Sequence, residues 1–349
     1  MKMGKLLSLA ALVMIGLMTV VACGSDDDDN GGNGGNGGNG KLDNPEYADV
    51  AAFYEITSPN SDIKSIELTE AGRYVIIQNT YNYTYKSRDA KAKMPKGHFL
   101  GMASKALTRG SYANIIEGKY TKKGNGSFEL EGYGTLTITG TSSDAQSIEI
   151  TLANGTKMPT LTAERKNQQP SSSATATLCR TWKLASLRVI LTLAGKSIYD
   201  KEYKIDEIYK FGKDMMDLEK KYYPGELDEE DDLEYYESEW REQMEDMPAT
   251  VTFTKAGTYL VTYNNGELAV STWSWEDVKT GKLRYSWNYD SMSDRNLAGT
   301  ALVSYRGKQL AVQEDLNDQD VDDDYYDYDE DEFDFDAGTT MITYCDEVK

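Results

Sequence analysis

The stretch TVTFTKAGTYLV, Thr250–Val261, reads as a hairpin on its own chemistry. Val251 and Phe253, then Tyr259 and Val261, alternate with threonines and other residues that tolerate a solvated or lightly covered face, the period-2 pattern of a half-buried strand. Between the two runs sits Lys255-Ala256-Gly257, where a glycine supplies the positive φ that a tight turn demands. The same pattern occurs earlier, at an offset of 185 residues, as SIELTEAGRYVI, Ser65–Ile76. Thr69, Ala71, Gly72 and Tyr74 match Thr254, Ala256, Gly257 and Tyr259. Two related hairpins therefore open two β-rich domains.

Working outward from the second hairpin, ELAVSTWSW, KLRYSWN, GTALVSY, KQLAVQE and TTMITYC follow as short strands, with Asn264-Asn265-Gly266 as a turn signal. CRTWKLASLRVIL at residues 179–191 precedes it, which makes eight candidates. Eight short antiparallel strands suit a closed barrel, because closure removes exposed edges. A plain β-sandwich is the alternative. The first domain adds SFELEG, GTLTIT, SIEITL and MPTLTAE, with Asn154-Gly155 as a further tight turn.

Charge divides the chain in the same way. Residues 45–167 carry 15 Lys+Arg against 13 Asp+Glu, whereas residues 170–349 carry 19 against 40. The polar, proline-containing stretch between them marks a linker over 168–177, separating an N-terminal β domain (45–167) from a second domain (178–349). A net charge of −21 excludes nucleic acid as a partner held by general electrostatics. The basic run Lys86–Gly110 predicts a loop with a short helix, and an attraction across the linker to the acidic second domain. His98 is the single histidine, and no acid–base or nucleophile pair stands at a diagnostic spacing, so the expectation is a non-catalytic protein.

The N-terminus gives an address. Lys2 and Lys5 precede an apolar run from Leu6 to Ala22, the pattern of a signal peptide over residues 1–22. Val20-Val21-Ala22-Cys23 resembles the lipobox of bacterial lipoproteins. That resemblance implies cleavage before Cys23, a covalent lipid on its thiol, and outer-membrane lipid as the partner of the anchor. Cys23-Gly24-Ser25 followed by Asp26–Asp29 looks like an acidic tag for display on the cell exterior. The glycine–asparagine run that follows cannot bury a core, so residues 23–44 read as a disordered tether.

At LCRTWKLAS the second domain resembles lipocalin-like domains of bacterial lipoproteins, in which Gly-Thr-Trp opens the first strand and the tryptophan closes one barrel end. Thr181 and Trp182 match, while Arg180 stands where glycine is usual. The resemblance covers residues 178–200 and 248–349, and more faintly 50–166. It implies an all-β protein of two β-rich domains, the second an eight-stranded antiparallel barrel. Such a barrel holds one small apolar or glycan-like ligand at its mouth, with Tyr259, Trp273, Trp275 and Trp287 as candidate contacts. The alternative is a structural or protein-interaction role with the barrel filled by side chains.

Two segments depart from that family. Residues 205–247 form a charged helical insertion: Ile205, Ile208, Tyr209, Met215 and Met216 fit one face, and Leu233, Tyr236, Trp240, Met244 and Met247 a second. It is either a helical pair on the barrel wall or a lid over the mouth. Residues 314–336 form an acidic loop with 14 carboxylates in 23 positions. Asp318, Asp320, Asp322 and Asp324, or Asp327, Asp329 and Asp331, could supply some of the roughly six to eight oxygens of a Ca²⁺ ion, although no EF-hand spacing is present and self-repulsion favours disorder. Beyond Cys23 only Cys179 and Cys345 remain, one at each end of the second domain. In a closed barrel the strands that carry them are neighbours, which makes the pair a disulfide candidate.

Overall fold

Each of the two repeated hairpins closes with the same hydrogen bonds. In the second, Thr254 N donates to Thr258 O (2.9 Å), Gly257 N to Thr254 O (3.1 Å) and Thr258 N to Thr254 Oγ1 (3.2 Å). In the first, Thr69 N donates to Arg73 O (2.8 Å), Gly72 N to Thr69 O (3.1 Å) and Arg73 N to Thr69 Oγ1 (3.0 Å). Gly72 and Gly257 sit at φ +73° and +86°, where a Cβ is disfavoured. These observations come from a computed structural model that describes residues 42–78, 115–140, 146–166, 169–193, 195–222, 247–266, 268–286, 298–317 and 337–348. The signal peptide, Cys23, the basic run at 86–110 and most of the acidic loop lie outside them.

The first domain is a closed eight-stranded antiparallel barrel. Its strands are β1 (Ala52–Ile56), β2 (Ile63–Leu68), β3 (Arg73–Gln78), β4 (Ile115–Gly124), β5 (Ser127–Leu130), β6 (Gly134–Thr139), β7 (Gln146–Leu152) and β8 (Leu161–Arg165). Each pairs with the next, and β1 pairs with β8 to close the ring. Alternate side chains point inward, so Ile66, Leu68, Tyr74, Ile76, Leu136 and Ile148 meet in one core. Strands β1 and β4 carry no clear alternation in the sequence. β4 buries only Tyr120 fully among its ten residues, which is why its pattern is silent.

A short helix, α1 (Ser173–Leu178), leads into the second barrel, capped by the Ser172 side chain, which accepts from Thr175 N. The strands are β9 (Thr181–Leu193), β10 (Lys196–Lys204), β11 (Pro248–Phe253), β12 (Thr258–Tyr263), β13 (Leu268–Asp277), β14 (Lys282–Ser286), β15 (Ala298–Arg306), β16 (Gln309–Asn317) and β17 (Ala337–Glu347). β9 closes the barrel against β17 along its whole length, which excludes the sandwich. Its other edge is shared: Thr181–Lys183 pairs with β11, and Ser186–Leu193 with β10. β10 is thus a ninth strand that the sequence pattern does not announce, because it is mostly exposed and charged.

The barrels pack through their repeated hairpins. Leu260 and Val270, on the outer face of β12 and β13, form a buried cluster with Val75 and Ile77 on the outer face of β3. Val75 and Leu260 are equivalent positions of the repeat, 185 residues apart, so the two hairpins meet at one matching place.

Candidate functional site

The two ends of the second barrel differ. At the lower end Trp182 is fully buried and donates Nε1–H to Leu178 O (2.9 Å), while Arg180 lies 5.8 Å from its ring centroid. Arg180 also donates to the Thr177, Ala176 and Asp43 carbonyls and pairs with Glu347 of β17. Trp275 donates to Thr175 Oγ1 (3.0 Å) and meets Trp273 edge-on at 5.4 Å. The helix α1 and these rings seal that end.

At the upper end the inner face of β9 continues as Leu187, Val189 and Leu191, opposite Thr343, Met341 and Thr339 of β17. A helix, α2 (Lys210–Tyr222), follows a 3₁₀ turn at Ile205–Glu207 and lays Phe211, Met215 and Leu218 onto this surface. Tyr203, Ile208, Met247 and Met341 complete the cluster. The register of β9 and β17 makes this the same face that lines the barrel interior lower down. The first half of the 205–247 insertion therefore covers the mouth rather than the outer wall. Residues 223–246, with the second expected helix, lie outside the described residues.

α2 is pinned at one point. Asp214 accepts from the Tyr199 hydroxyl (3.1 Å), from the Tyr203 hydroxyl and from Lys201 Nζ, all on β10. Burial, reinforced by the Asp214 carboxylate, holds the Tyr199 phenol well above its ordinary range. On the outer wall, Glu202 pairs with Arg306 at 2.7 and 2.9 Å. The Arg306 guanidinium holds the Glu202 carboxyl down to about 2.

Beneath the α2 cluster lies a buried acid. Glu314 follows Leu310 and Val312 on the inner face of β16, is 4 % exposed, and accepts the Tyr285 hydroxyl at 2.7 Å. Tyr285 lies flat across β15 because its partner there is Gly299: a Cβ on Gly299 would stand 2.4 Å from the hydroxyl and 2.5 Å from the ring. Thr339 and Thr343 are also buried on this face. Chemically, the arrangement offers a carboxylate, a phenol and two hydroxyls at the boundary between the deep core and the covered mouth.

The expected contacts fall elsewhere. Tyr259 and Trp273 are core residues, 0 % and 1 % exposed, and Trp273 Nε1 is committed to Thr254 O at 3.1 Å. Trp275 helps seal the lower end; Trp287 lies outside the described residues. Glu314 and Asp315 belong to β16 and not to a loop, which shortens the acidic segment. Asp318, Asp320, Asp322, Asp324, Asp327, Asp329 and Asp331 lie outside the described residues, and among the described ones no group of three potential ligands converges. Cys179 and Cys345 are both free, buried thiols of one core cluster. The adjacency of β9 and β17 holds, but Cys179 caps α1 and precedes β9, so it occupies no place in the ladder. Burial pushes both thiols up, which keeps them protonated and unreactive at neutral pH.

Sequence reasoning missed Glu314 and Tyr285. The signal was present: in KQLAVQE, Leu310, Val312 and Glu314 stand at positions i, i+2 and i+4, which puts the acid on the apolar face. No helix among the described residues is long and apolar enough to cross a membrane. No family model matches this chain, and no curated protein matches it.

Proposed function

We propose that this protein is a lipid-anchored, non-catalytic binding module, held in the outer membrane through Cys23 and facing the cell exterior. The second barrel carries the site, at its covered mouth, for a small ligand with an apolar body and a hydrogen-bonding group, as a glycan or lipid fragment has. The observation that carries this reading is the placement of α2: its apolar residues close over the inner face above Tyr285 and Glu314. Glu314 and Tyr285 set a hydrogen-bonded polar pair into that face. Ligand barrels are typically apolar with a few placed polar groups.

The test is mass spectrometry of small molecules that co-purify with the soluble 41–349 fragment, in wild type and in Glu314→Gln. A compound retained by wild type and lost from the variant supports the site. A protein that co-purifies nothing, and whose α2 exchange is unaffected by candidate glycans and lipids, favours the second reading. That reading, a protein-interaction role with a filled barrel, rests on the deep interior, where Trp182, Phe253, Tyr259 and Trp273 are 0–1 % exposed.

A further inference from the structure

On β2 the side chains of Ile66 and Leu68 point into the first barrel, so Glu67 between them points out. It does not reach water. The second barrel covers both Glu67 and Glu70, in the adjoining turn, leaving them 3 % and 2 % exposed. Thr254 and Thr258 of the opposing hairpin donate to Glu67, and Glu70 Oε1 accepts the backbone N–H of Lys255 at 3.2 Å. Three donors across the junction thus come from the turn equivalent to the one that holds Glu70. Yet Glu67 Oε1 and Glu70 Oε2 are each buried with no hydrogen-bond partner.

The groups facing the pair do not neutralise two charges. Lys255 acts on Glu70 from the second hairpin. From the end of α1 come the buried thiol of Cys179 and, beyond it, Arg180, which is engaged with Glu347. From β4 comes the Tyr120 phenol, whose hydroxyl is given to Thr69 O. Arg73, at the start of β3, is paired with Glu117. The two acids also repel each other. A buried carboxylate without compensation is costly, and two such neighbours more so.

We propose that the junction between the barrels is a proton-operated clasp: protonated Glu67 and Glu70 keep the barrels docked, and their ionisation parts them. Burial pushes each carboxyl up to about 7 from its ordinary range. A docked-state value raised above that of the exposed group means that docking takes up protons. Its contribution is complete below the ordinary carboxyl range and is lost as pH rises through about 7. The apolar contact of Val75 and Ile77 with Leu260 and Val270 favours docking at every pH and sets the background against which the clasp works.

Hydrogen exchange on the full chain from about pH 5.5 to about pH 8.5, corrected for intrinsic rates, tests this, because the linkage predicts a change across that range. The Lys255 amide and the outer face of β12 should lose protection as pH rises, while the Trp273 amide, which donates to Gly257 O within the second barrel, keeps its own. Small-angle scattering should show expansion over the same range. The Glu67→Gln/Glu70→Gln double variant should stay docked throughout. A pH-independent junction, or one whose pH response survives in the double variant, overturns the proposal. Re-docking of wild type at high pH by millimolar Ca²⁺, absent from the double variant, also overturns it, since a cation would then do the neutralising. Where the double variant does not fold, the wild-type contrast between Lys255 and Trp273 decides, and uniform loss at both counts against the clasp.

Discussion

The two barrels share a turn and a strand count, and they spend their interiors differently. Barrel 1 fills its centre with aliphatic residues such as Ile66, Leu136 and Ile148 together with Tyr54, Tyr74, Tyr120 and Phe128, none of them tryptophan, and its strands run four to ten residues. Barrel 2 packs Trp182, Phe253, Tyr259, Trp273 and Tyr285, and its first strand runs 13 residues, long enough to pair with β11 at one end and β10 at the other. The extra length of β9 creates an inner surface above the ring, and α2 covers it. One copy of the scaffold thus ends with its ring, and the other carries a lengthened first strand with a covered inner surface.

The comparison can be broken hardest in the cores. Leu136, 0 % exposed in barrel 1, and Trp273, 1 % exposed in barrel 2, should each cost about 2–5 kcal/mol on truncation to alanine. All five tryptophans, from Trp182 to Trp287, lie in the second domain, so their emission reports barrel 2 alone. Denaturation followed by emission and by circular dichroism should separate for Leu136→Ala, with the dichroism midpoint moving further. Coincident shifts would make the two barrels one cooperative unit.

A middling effect is expected where glycines admit a tyrosine ring. A Cβ on Gly118 would stand 2.8 Å from the Tyr74 ring in barrel 1, and one on Gly299 2.5 Å from the Tyr285 ring in barrel 2. Alanine at either should cost about 1–3 kcal/mol through overpacking. Only Gly299→Ala should also move Tyr285 off Glu314 and raise hydrogen exchange in α2. Equal exchange in α2 for both variants would break the link between Tyr285 and the mouth.

Loosening the lid is the next step down. Asp214→Asn removes the charge to which Tyr199, Tyr203 and Lys201 donate, and hydrogen bonds to a charged group are worth about 1.5–3 kcal/mol, less here because Asp214 is partly exposed. Amides of 210–222 should exchange faster while barrel 1 is unchanged. The smallest effect belongs to the outer wall. Glu202→Gln should cost about 0.2–1 kcal/mol, since the pair with Arg306 is largely solvated. The lowered carboxyl contributes stability above its ordinary range and loses it as pH falls through about 2, so an acid titration of the variant should lack that step.

Much of this architecture was legible where inward apolar residues alternate with other residues along a strand. TVTFT, TYLVTY and KQLAVQE all alternate, and all are strands. Reading failed where a strand is wet on most sides, as in IIEGKYTKKG of β4 and KSIYDKEYK of β10. Aromatic residues misled for the opposite reason: Tyr259 and Trp273 are the right chemistry for a ligand, but burial uses them first as core. Glu67 escaped notice because nothing local marks an outward acid as covered by another domain.

The first described residues fix where the chain joins the second barrel. Leu42 packs against the core of barrel 2, and the Asp43 carbonyl accepts from Arg180 at 3.1 Å. The chain therefore leaves from the sealed end. β9 begins at that end and, at about 3.3 Å per residue, carries the mouth on the order of 40 Å away. With the lipid on Cys23 as proposed, the anchored segment feeds into the plugged end. Attachment and covering thus fall at opposite ends of one strand: the chain that would carry the anchor joins beside Arg180, and α2 lies over the far half of β9.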